Sequence, residues 1–384
     1  MRHQNSVFHN LLKRVPWDMF ERLVAVHQAD KHVRRLSTKS QLLALLYGQL
    51  SGAVSLREIE AGLASHAVRL YHLGGKPVSR STLADANARR PAAVFGELFA
   101  ALVGPAQRGL RRAVGEATYL IDATGLRLGG AGCDWAGFSA TACGAKLHVI
   151  YDAAAERPIY AAVSAANVND ITAAKAMPLE AGATYVFDLG YYDYRWWAKR
   201  AAAGCRIVTR FKSNTPLEIT AERAVETGSD ILSDRIGQLP PRQAGSRKNP
   251  FCARVRESRV RISTGKVLRI LSNDLEAPAR EIADLYKRRW AIELFFRWVK
   301  QTLKIRHFVG VSENAVRIQI AVALIAFLLL RLAPAAQQAV QSPLTFARLV
   351  RANLLHRKRI DRLIGANPAP PTNPNQLVLQ WTQI

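Results

Sequence analysis

Two apolar segments that each carry one aspartate constrain the fold of this chain most strongly. "ATYLIDATGLRL" is a hydrophobic run broken by one acid, Asp122, and "TYVFDLGYYD" is an apolar run that leads directly to Asp188. An unpaired carboxylate is costly to bury in a strand, so such a side chain needs a cation or a functional reason. Both aspartates are therefore candidate site residues, and the plainer alternative is a strand-end Asp that caps a loop or pairs with Arg.

Strand and helix patterns alternate around these two aspartates. Between them lie two strand patterns, "AKLHVIYDA" and "RPIYAAVSAA", and a helix pattern, "NDITAAKAMPLEAG". After Asp188 come an aromatic and basic helix pattern, "YDYRWWAKRAAAG", and a further strand, "CRIVTRFKS". The order of three strands, helix, strand, helix and strand predicts an α/β core over residues 116–213.

Residues 1–115 carry helical patterns instead. Capping-box spacings at Ser55 and Thr82 start two short helices on either side of "HLGGKP", which suggests a helix-turn-helix-like pair. The second helix would present Arg80, Ser81 and Thr82 near its N-terminus, a good position for phosphate or base contacts. The alternative is a plain helical bundle with Arg on its solvent-exposed face.

A β-rich segment, residues 214–277, interrupts the α/β pattern. "FCARVRESRVRISTGKVLRILSND" alternates with period two around a Thr-Gly-Lys turn, which predicts antiparallel hairpins. Helical patterns return after it, and they include the apolar run "IAVALIAFLLL". That run is shorter than the roughly 20 residues of a membrane-spanning helix, so it predicts a buried core helix.

The charge balance indicates a polyanionic partner. The 384 residues include 54 Lys and Arg against 29 Asp and Glu, a formal net charge of +25. DNA or RNA is the first candidate because phosphate neutralisation supplies most non-specific affinity. A membrane surface is the weaker alternative, since the basic residues are spread along the chain and no lipid-anchor motif occurs.

The N-terminus and the cysteines indicate a compartment. "MRHQNSVFHNLLKRVPWDMF" has no apolar segment followed by a small-residue cleavage site, so no signal peptide is predicted. The four cysteines lie far apart without a CxxC pair, which argues against a zinc site and a disulfide framework. A reducing cytoplasm is predicted.

A third carboxylate stands in the segment "DLYKRRWAIELFFRWVKQTLKI". On one continuous helix, at about 100° per residue, Tyr286, Arg289, Glu293 and Lys300 fall within an arc of about 60°. Glu293 is then a single acid aligned with side chains that can donate to phosphate, at the edge of the core. This arrangement favours a helix that lines an active site over one that carries a network of solvent-exposed ion pairs. The neighbouring arc is the predicted core stripe, formed by Leu285, Ile292, Phe296, Val299 and Leu303.

Asp122, Asp188 and Glu293 together form a set that can hold Mg²⁺. Hard divalent cations take oxygen ligands and keep water and substrate phosphate in the remaining positions. Two ions about 4 Å apart can activate a nucleophile and stabilise the leaving oxygen in phosphoryl transfer. Asp188 is preferred to its neighbours because its strand is the more apolar, but other acids remain open as alternatives: Asp152, Asp170 and Asp193.

At these residues the chain resembles the IS4-type DDE transposases of bacterial insertion sequences. The third-acid helix of that family carries Tyr, two residues, Arg, three residues, Glu, six residues and Lys, and "YKRRWAIELFFRWVK" matches this YREK signature at every position. "DLGYYD" is similar to the family's second-acid context. The resemblance covers roughly Glu116 to Gly310, and it covers residues 1–115 only in general character, as a helical DNA-binding region.

The resemblance implies an α/β ribonuclease H-like catalytic core with a β-rich insertion, preceded by an all-helical N-terminal domain and followed by C-terminal helices. The first acid of the family lies on the first strand and the second just after the fourth strand. The predicted parts are a DNA-end-binding domain (1–115), the first part of the core (116–213), the insertion (214–277), the third-acid helix of the core (278–315), and C-terminal helices with a Pro-rich tail (316–384).

The resemblance also implies roles for individual residues. Two Mg²⁺ or Mn²⁺ ions would be bound by Asp122, Asp188 and Glu293, and phosphates beside the scissile bond would be contacted by Tyr286, Arg289 and Lys300. Water would attack at the transposon end, and the freed 3′-hydroxyl would then attack target DNA without a covalent protein–DNA intermediate. The implied partners are double-stranded DNA and a second copy of the chain in a homodimer, with no membrane, in the bacterial cytoplasm at the nucleoid.

Two other readings stay open. A ribonuclease H-like nuclease would use the same three acids to cut without joining, and a catalytically inactive derivative would only bind DNA. Some relatives hold a flipped base with an aromatic residue of the insertion, and residues 214–277 contain no Trp, which leaves a hairpin intermediate open. His148 and His307 are assigned structural or DNA-facing roles in preference to metal binding.

Overall fold

Helices occupy both ends of the described chain, and strands occupy its middle. The computed structural model describes residues 6–111, 117–139, 142–242, 248–303, 308–333 and 343–358, together with Ile360 and Leu363. His307 and the Pro- and Asn-rich tail lie outside these ranges.

Seven helices precede the first strand in the described part of the chain. Ser37 begins the third of them by accepting a hydrogen bond from the backbone N–H of Ser40 at 3.2 Å, and Gly52 ends it with a left-handed φ of 80°. The leucines of this helix are buried, as the sequence predicts. The helices are α1 (Val7–Leu12), α2 (Trp17–Val26), α3 (Thr38–Ser51), α4 (Leu56–Ala64), α5 (Ala67–Leu70), α6 (Arg80–Arg89) and α7 (Ala92–Arg111).

The predicted pair of short helices is interrupted by further helical turns. Between α4 and α6 lie α5 and a 3₁₀ turn at Tyr71–Leu73, so the connection is longer than in a simple helix-turn-helix. The capping box predicted at Thr82 is wrong, because Thr82 already lies inside α6. The cap is Ser79, whose extended backbone lets its Oγ accept a hydrogen bond from the N–H of Thr82 at 3.3 Å. Arg80 and Ser81 are exposed at this helix start, and Thr82 is half-buried.

The strands of the described residues form one sheet of ten. Its order is β2-β3-β1-β5-β6-β10-β9-β8-β7, and β4 also pairs with β3. The strands are β1 (Thr118–Leu128), β2 (Gly137–Ser139), β3 (Ala142–Asp152), β4 (Arg157–Ala165), β5 (Thr184–Phe187), β6 (Arg206–Arg210), β7 (Glu218–Arg223), β8 (Ile231–Gln238), β9 (Arg254–Arg261) and β10 (Val267–Ser272).

The first part of this sheet follows the predicted strand and helix order except for one short additional strand, β2, which was not predicted. β1 is antiparallel to β3 and parallel to β5, β3 is antiparallel to β4, and β5 is parallel to β6. The connecting helices are α8 (Asp170–Lys175) and α9 (Tyr194–Ala202). The helix predicted over residues 169–182 is too long, because α8 ends at Lys175. Pro178 follows shortly after, and proline cannot donate a helical backbone hydrogen bond.

The inserted segment extends the same sheet. β7 with β8, β8 with β9, and β9 with β10 form antiparallel pairs. The β9–β10 pair is the hairpin that the period-two pattern predicts. Gly265, with φ of 81°, lies in the turn between β9 and β10. β10 then pairs antiparallel with β6, where Ile270 faces Arg210. Insertion and core therefore share one continuous hydrogen-bonded ladder.

One apolar helix joins the N-terminal helices to the rest of the protein. α12 packs on α3, α6 and α7 as well as on α11 and β4. Near its start, the side-chain amide of Asn314 donates to the carbonyls of Asn87 at 2.9 Å and Arg90 at 2.6 Å. The helices after the sheet are α10 (Ala279–Arg288), α11 (Trp290–Thr302), α12 (Glu313–Arg331) and α13 (Pro343–Asn353).

The predicted core helix over the apolar run is confirmed by the burial of α12. Among the described residues it is the one helix long and apolar enough to cross a membrane, and 78% of its apolar window is buried inside the protein. Its apolar side chains are therefore covered by the other helices of the chain.

Alternation along the strands separates two hydrophobic layers. Leu120 and Val186 belong to the layer that α10, α11 and α12 cover. Tyr119 and Tyr185, one position earlier on each strand, belong to the layer that contains the tryptophans of α9. Because side chains alternate between faces, the next residues that point towards α10 and α11 are two positions after Leu120 and Val186.

Candidate active site

The two strand aspartates lie side by side. β1 and β5 are neighbouring parallel strands, and the last pair in their register joins Ile121 to Phe187. Asp122 and Asp188 directly follow these two residues, at the alternation positions that face α10 and α11. The parallel register therefore brings two acids that are distant in the sequence to the same end of β5.

Asp122 is largely withdrawn from water. Its side chain is 17% exposed, and its Oδ1 accepts a hydrogen bond from the N–H of Ala123 at 2.8 Å. Burial raises the pKa of Asp122 from an ordinary 3.8 to about 7; the negative charges of Asp188 and Glu293 add to this rise, while the Ala123 N–H and the Arg289 guanidinium oppose it. A carboxylate in these surroundings is stabilised by a cation that reaches it.

Asp188 ends β5 and begins a tight turn. Its Oδ1 accepts a hydrogen bond from the N–H of Gly190 at 2.8 Å. A Cβ at position 190 would lie 3.0 Å from Oδ1 of Asp188 and 3.4 Å from Oδ2 of Asp170. Glycine therefore lets the backbone of this turn approach both carboxylates closely.

Glu293 reaches the site through an arginine. Nη2 of Arg289 donates to Oε1 of Glu293 at 2.6 Å, and its Nη1 lies 3.4 Å from Oδ2 of Asp122. The Arg289 side chain is 17% exposed and that of Glu293 is 31% exposed. One guanidinium thus lies between the helix-borne acid and the acid of β1, while Asp188 lies beside Asp122 through the strand register.

The helix that carries this signature is not continuous, and the prediction of a single helix is wrong. α10 ends at Arg288 and α11 begins at Trp290, with Arg289 between them. The N–H of Arg289 bonds to the carbonyl of Tyr286 at 3.1 Å, and the N–H of Ile292 bonds to that of Arg289 at 3.2 Å, so the chain tightens to i→i+3 bonding there. The core stripe is nevertheless buried as predicted, at Leu285, Ile292, Phe296, Val299 and Leu303.

The other two signature residues flank this junction. Tyr286 is buried, and burial raises its pKa. The guanidinium carbon of Arg289 lies 5.8 Å from the centre of its ring, within range of a cation–π contact. Lys300 is half-buried on α11, about two turns beyond Glu293.

Asp170, weighed above as an alternative, lies at the same site as Asp188. Nζ of Lys146 donates to Oδ1 of Asp170 at 3.0 Å, which fixes this carboxylate beside the turn at Gly190. Tyr191 is buried, and burial together with the charges of Asp122, Asp170 and Asp188 raises its pKa. Sequence reasoning did not assign Tyr191, although it lies inside the quoted "DLGYYD" segment.

The two remaining alternative acids have structural partners. Asp193 caps α9 by accepting from the N–H of Trp196 at 2.8 Å, and it pairs with Lys175 at 2.9 Å. Asp152 ends β3 and accepts from two backbone N–H groups of the following turn, at 3.0 and 2.9 Å. His148 is fully buried, with its Nε2 2.8 Å from Oγ of Ser164, and burial lowers its pKa.

The oxygen donors of the site suit a hard divalent cation. Carboxylate oxygens are the ligands that Mg²⁺ and Mn²⁺ prefer in proteins. Within the described residues, no three acidic, His or Cys side chains surround a single point, and the Arg289 guanidinium lies between Asp122 and Glu293. The donor set therefore fits the ion chemically, and a metal bound by both acids would take the place of the guanidinium.

Two families match this chain. Residues 115–329, more than half of the protein, match the family described as Transposase DDE domain. Residues 3–76 match a family described as a domain of unknown function (DUF4372). The first match includes all three predicted acids, and the second ends just before α6.

Known transposases are similar to the chain over most of its length. The putative transposase y4zB of Sinorhizobium fredii is 40% identical over 297 residues, 76% of this chain and 81% of the relative. The probable transposase for insertion sequence element IS5377 of Geobacillus stearothermophilus is 29% identical over 255 residues, 65% of this chain and 66% of the relative. A structure of the piggyBac transposase synaptic complex with hairpin DNA covers 91% of this chain and 78% of its own, at 11% identity and a TM-score of 0.44.

The match to the DDE domain fits the ribonuclease H-like core predicted above. DDE transposases depend in general on divalent metal ions. With a domain match over more than half of its length and a transposase relative at 40% identity, this chain belongs to the transposases with a DDE domain, enzymes that act on DNA.

Proposed function

We propose that this transposase is an IS4-type enzyme that cleaves transposon ends in the presence of Mg²⁺ or Mn²⁺ and joins the freed 3′-hydroxyl to target DNA. The observation that carries the proposal is the meeting of Asp122 and Asp188 on neighbouring strands, with Glu293 linked to Asp122 through Arg289. Two bound ions would supply an activated water and stabilise the leaving oxygen.

The remaining residues of the site would bind and orient the DNA. Arg289 would exchange its carboxylate partners for a phosphate beside the scissile bond, since a guanidinium binds phosphate in the same forked geometry. Tyr286 would hold that guanidinium in place through its ring, and Lys300 would bind a neighbouring phosphate. Lys146 would keep Asp170 away from the reacting phosphate by pairing with it.

The partners and the surroundings belong to the same proposal. Arg80, Ser81 and Thr82 at the start of α6 would contact double-stranded DNA at the transposon ends. A homodimer would bring two ends together, and the enzyme would act at the bacterial nucleoid in the cytoplasm. The helical unit over residues 1–115 would serve as the end-binding part, and the parts from 116 onwards would carry the chemistry.

A strand-transfer experiment tests the reaction. The substrate is a labelled duplex that carries the terminal sequence flanking this gene, with supercoiled plasmid as target and Mg²⁺ as the only divalent ion. We expect products in which the labelled strand is covalently joined to plasmid DNA through its 3′ end. Cleaved ends that never become joined would support the nuclease alternative, and a substrate that is bound but not cut would support the inactive derivative.

Replacement of Arg289 tests whether its guanidinium and a metal share the same carboxylates. In EDTA we expect Arg289→Gln to lower the stability by about 1–3 kcal/mol, because the variant loses charge-assisted hydrogen bonds and leaves neighbouring acids unneutralised. Addition of Mg²⁺ should then raise the melting temperature of the variant more than that of the wild type. Differential scanning fluorimetry measures both changes.

Arg297→Gln is the matched control for that variant. Arg297 is exposed on α11, the helix that begins directly after Arg289. Its replacement should leave both the melting temperature in EDTA and the response to Mg²⁺ near those of the wild type. An equal Mg²⁺ response in the wild type and in Arg289→Gln would contradict the shared use of these carboxylates.

A further inference from the structure

A basic cleft lies in the N-terminal helices, outside the DDE domain. The loop 27–36 forms one wall and α6 forms the other, and the cavity between them has a volume of about 860 Å³. We call it the α6 cleft. Its exposed cations are Lys31, Arg34, Arg35 and Arg89.

Little negative charge offsets these cations. Asp85 is the carboxylate on the α6 wall. Asp30 does not line the cleft, and its carboxylate accepts hydrogen bonds from Thr38. Among the described residues, no acidic side chain forms an ion pair with any of the four cations. Surface cations without acidic partners raise the local potential and attract a polyanion.

A buried polar network holds the two walls together. Arg90 donates to Oε1 of Gln41 at 3.2 Å and to the carbonyl of Leu36 at the end of the loop. The side-chain amide of Gln41 in turn donates to Oδ1 of Asn87 on α6 at 2.8 Å. These groups are almost completely buried, so the spacing between the loop cations and Arg89 is set before any ligand arrives.

The loop itself has an unusual backbone. Gln28 and His32 have φ of 49° and 62°, in the left-handed region that residues other than glycine rarely adopt. Between them, Oδ1 of Asp30 accepts hydrogen bonds from the N–H of Thr38 at 2.7 Å and from its hydroxyl at 2.6 Å. The loop is thus fixed in a costly conformation, and Lys31, Arg34 and Arg35 of this loop line the cleft.

We propose that the α6 cleft binds the sugar–phosphate backbone of duplex DNA. The lining contains no Phe, Tyr or Trp side chain on which an unpaired base could stack, so it suits a phosphate backbone better than a single strand. It also contains none of the exposed large apolar side chains that would enter a membrane. Thr82 lines the cleft, and Arg80 and Ser81 continue from it as further donors.

This inference rests on DNA being the substrate. It gives a role to the loop 27–36, which lies within the residues that match the domain of unknown function. Within residues 1–115, the sequence indicated α6 alone as a DNA-facing element. The structure adds the loop 27–36, whose cations carry no recognisable motif. Contacts of this kind position the protein on the duplex without reading its sequence.

The experiment compares the full-length Arg34→Ala/Arg35→Ala protein with the wild type on a short fluorescein-labelled duplex of arbitrary sequence. Fluorescence anisotropy gives the Kd at salt concentrations from about 50 to about 200 mM. We expect the double variant to bind roughly tenfold more weakly and to lose about 2 from the slope of log K against log salt, because each phosphate contact contributes about 0.9. Arg34→Lys/Arg35→Lys should retain the slope of the wild type.

The matched control is Arg22→Ala/Arg57→Ala, which removes two exposed arginines of the same helical unit that do not line the cleft. Equal losses of slope in the two alanine variants would overturn the proposal, provided that thermal unfolding shows both to be folded. Strand transfer at saturating protein separates this test from that of the proposed function. A cleft variant that binds normally refutes the cleft alone, whereas a wild type that binds DNA but never cuts it refutes the proposed chemistry.

Discussion

Asp188→Asn is expected to abolish metal-dependent cleavage, with a loss of about 10³-fold or more in rate, while binding to duplex DNA stays near that of the wild type. Asp188, directly after β5, lies beside Asp122 of the neighbouring parallel strand β1, so that two negative charges are available to a divalent ion. An amide of nearly the same shape keeps the hydrogen bond from Gly190 but removes one of those charges. Denaturing gels of labelled transposon ends measure the rate.

Asp193→Asn is the matched control for this variant. Asp193 lies five positions further along the chain, yet its carboxylate caps α9 and pairs with Lys175. Asparagine caps a helix about as well as aspartate, so the replacement loses only the partly exposed ion pair with Lys175 and should cost about 0.5 kcal/mol or less. The cleavage rate of the folded protein should stay nearly unchanged. Cleavage by Asp188→Asn at the rate of the wild type would remove Asp188 from the proposed site.

Asp122→Asn is expected to stabilise the metal-free protein, by about 4 kcal/mol at and above neutral pH. The pKa of Asp122 is about 7 in the folded state against 3.8 ordinarily, and each unit corresponds to about 1.4 kcal/mol. An acid whose folded pKa is raised binds its proton more tightly in the native state. The wild type therefore loses stability as the pH rises from about 4 to about 7, and a neutral amide does not.

Urea unfolding in EDTA across this pH range measures the effect. The stability difference between Asp122→Asn and the wild type should be small near pH 4, grow up to about pH 7 and stay constant above it. Saturating Mg²⁺ should shrink the difference, because a bound cation stabilises the charged carboxylate of the wild type. A difference that is constant across the whole range would show that charge burial at Asp122 does not destabilise the fold.

The parts of the site that follow from local pattern were predictable. Asp122 and Asp188 interrupt or end apolar strands, and parallel pairing of those strands is sufficient to bring them together. The buried stripe from Leu285 to Leu303 follows from helical periodicity. Its residues are buried despite the break between α10 and α11, because each of the two helices has its own apolar face.

The break at Arg289 did not follow from periodicity. Hydrophobic spacing averages over several turns, and a single turn of i→i+3 bonding leaves that average almost unchanged. The contacts of Arg289 with Glu293 and Asp122 join one residue four positions away and another in a distant strand. Only the second contact depends on the tertiary fold, and it brings the helix junction to the sheet.

The α6 cleft was not predictable for a related reason. Arg34 and Arg35 look like ordinary surface charges in the sequence. They become part of a cleft only when the loop is fixed against α6. That attachment runs through Gln41, Asn87 and Arg90, which are polar residues in a helical region and would be expected on its exposed surface. Long-range burial of polar side chains has no signature in local sequence.

Asn314 and α12 also bear on where a cut would fall. The end of α6 is hydrogen-bonded to the start of α12, and α12 runs on against α11, the helix of Glu293. On the proposed assignments, the DNA-binding part and the catalytic part both pack on the same helix, α12. The number of base pairs between the bound site and the cleaved phosphate would then be set by the fixed distance between these two parts of the protein. It would not depend on linker flexibility.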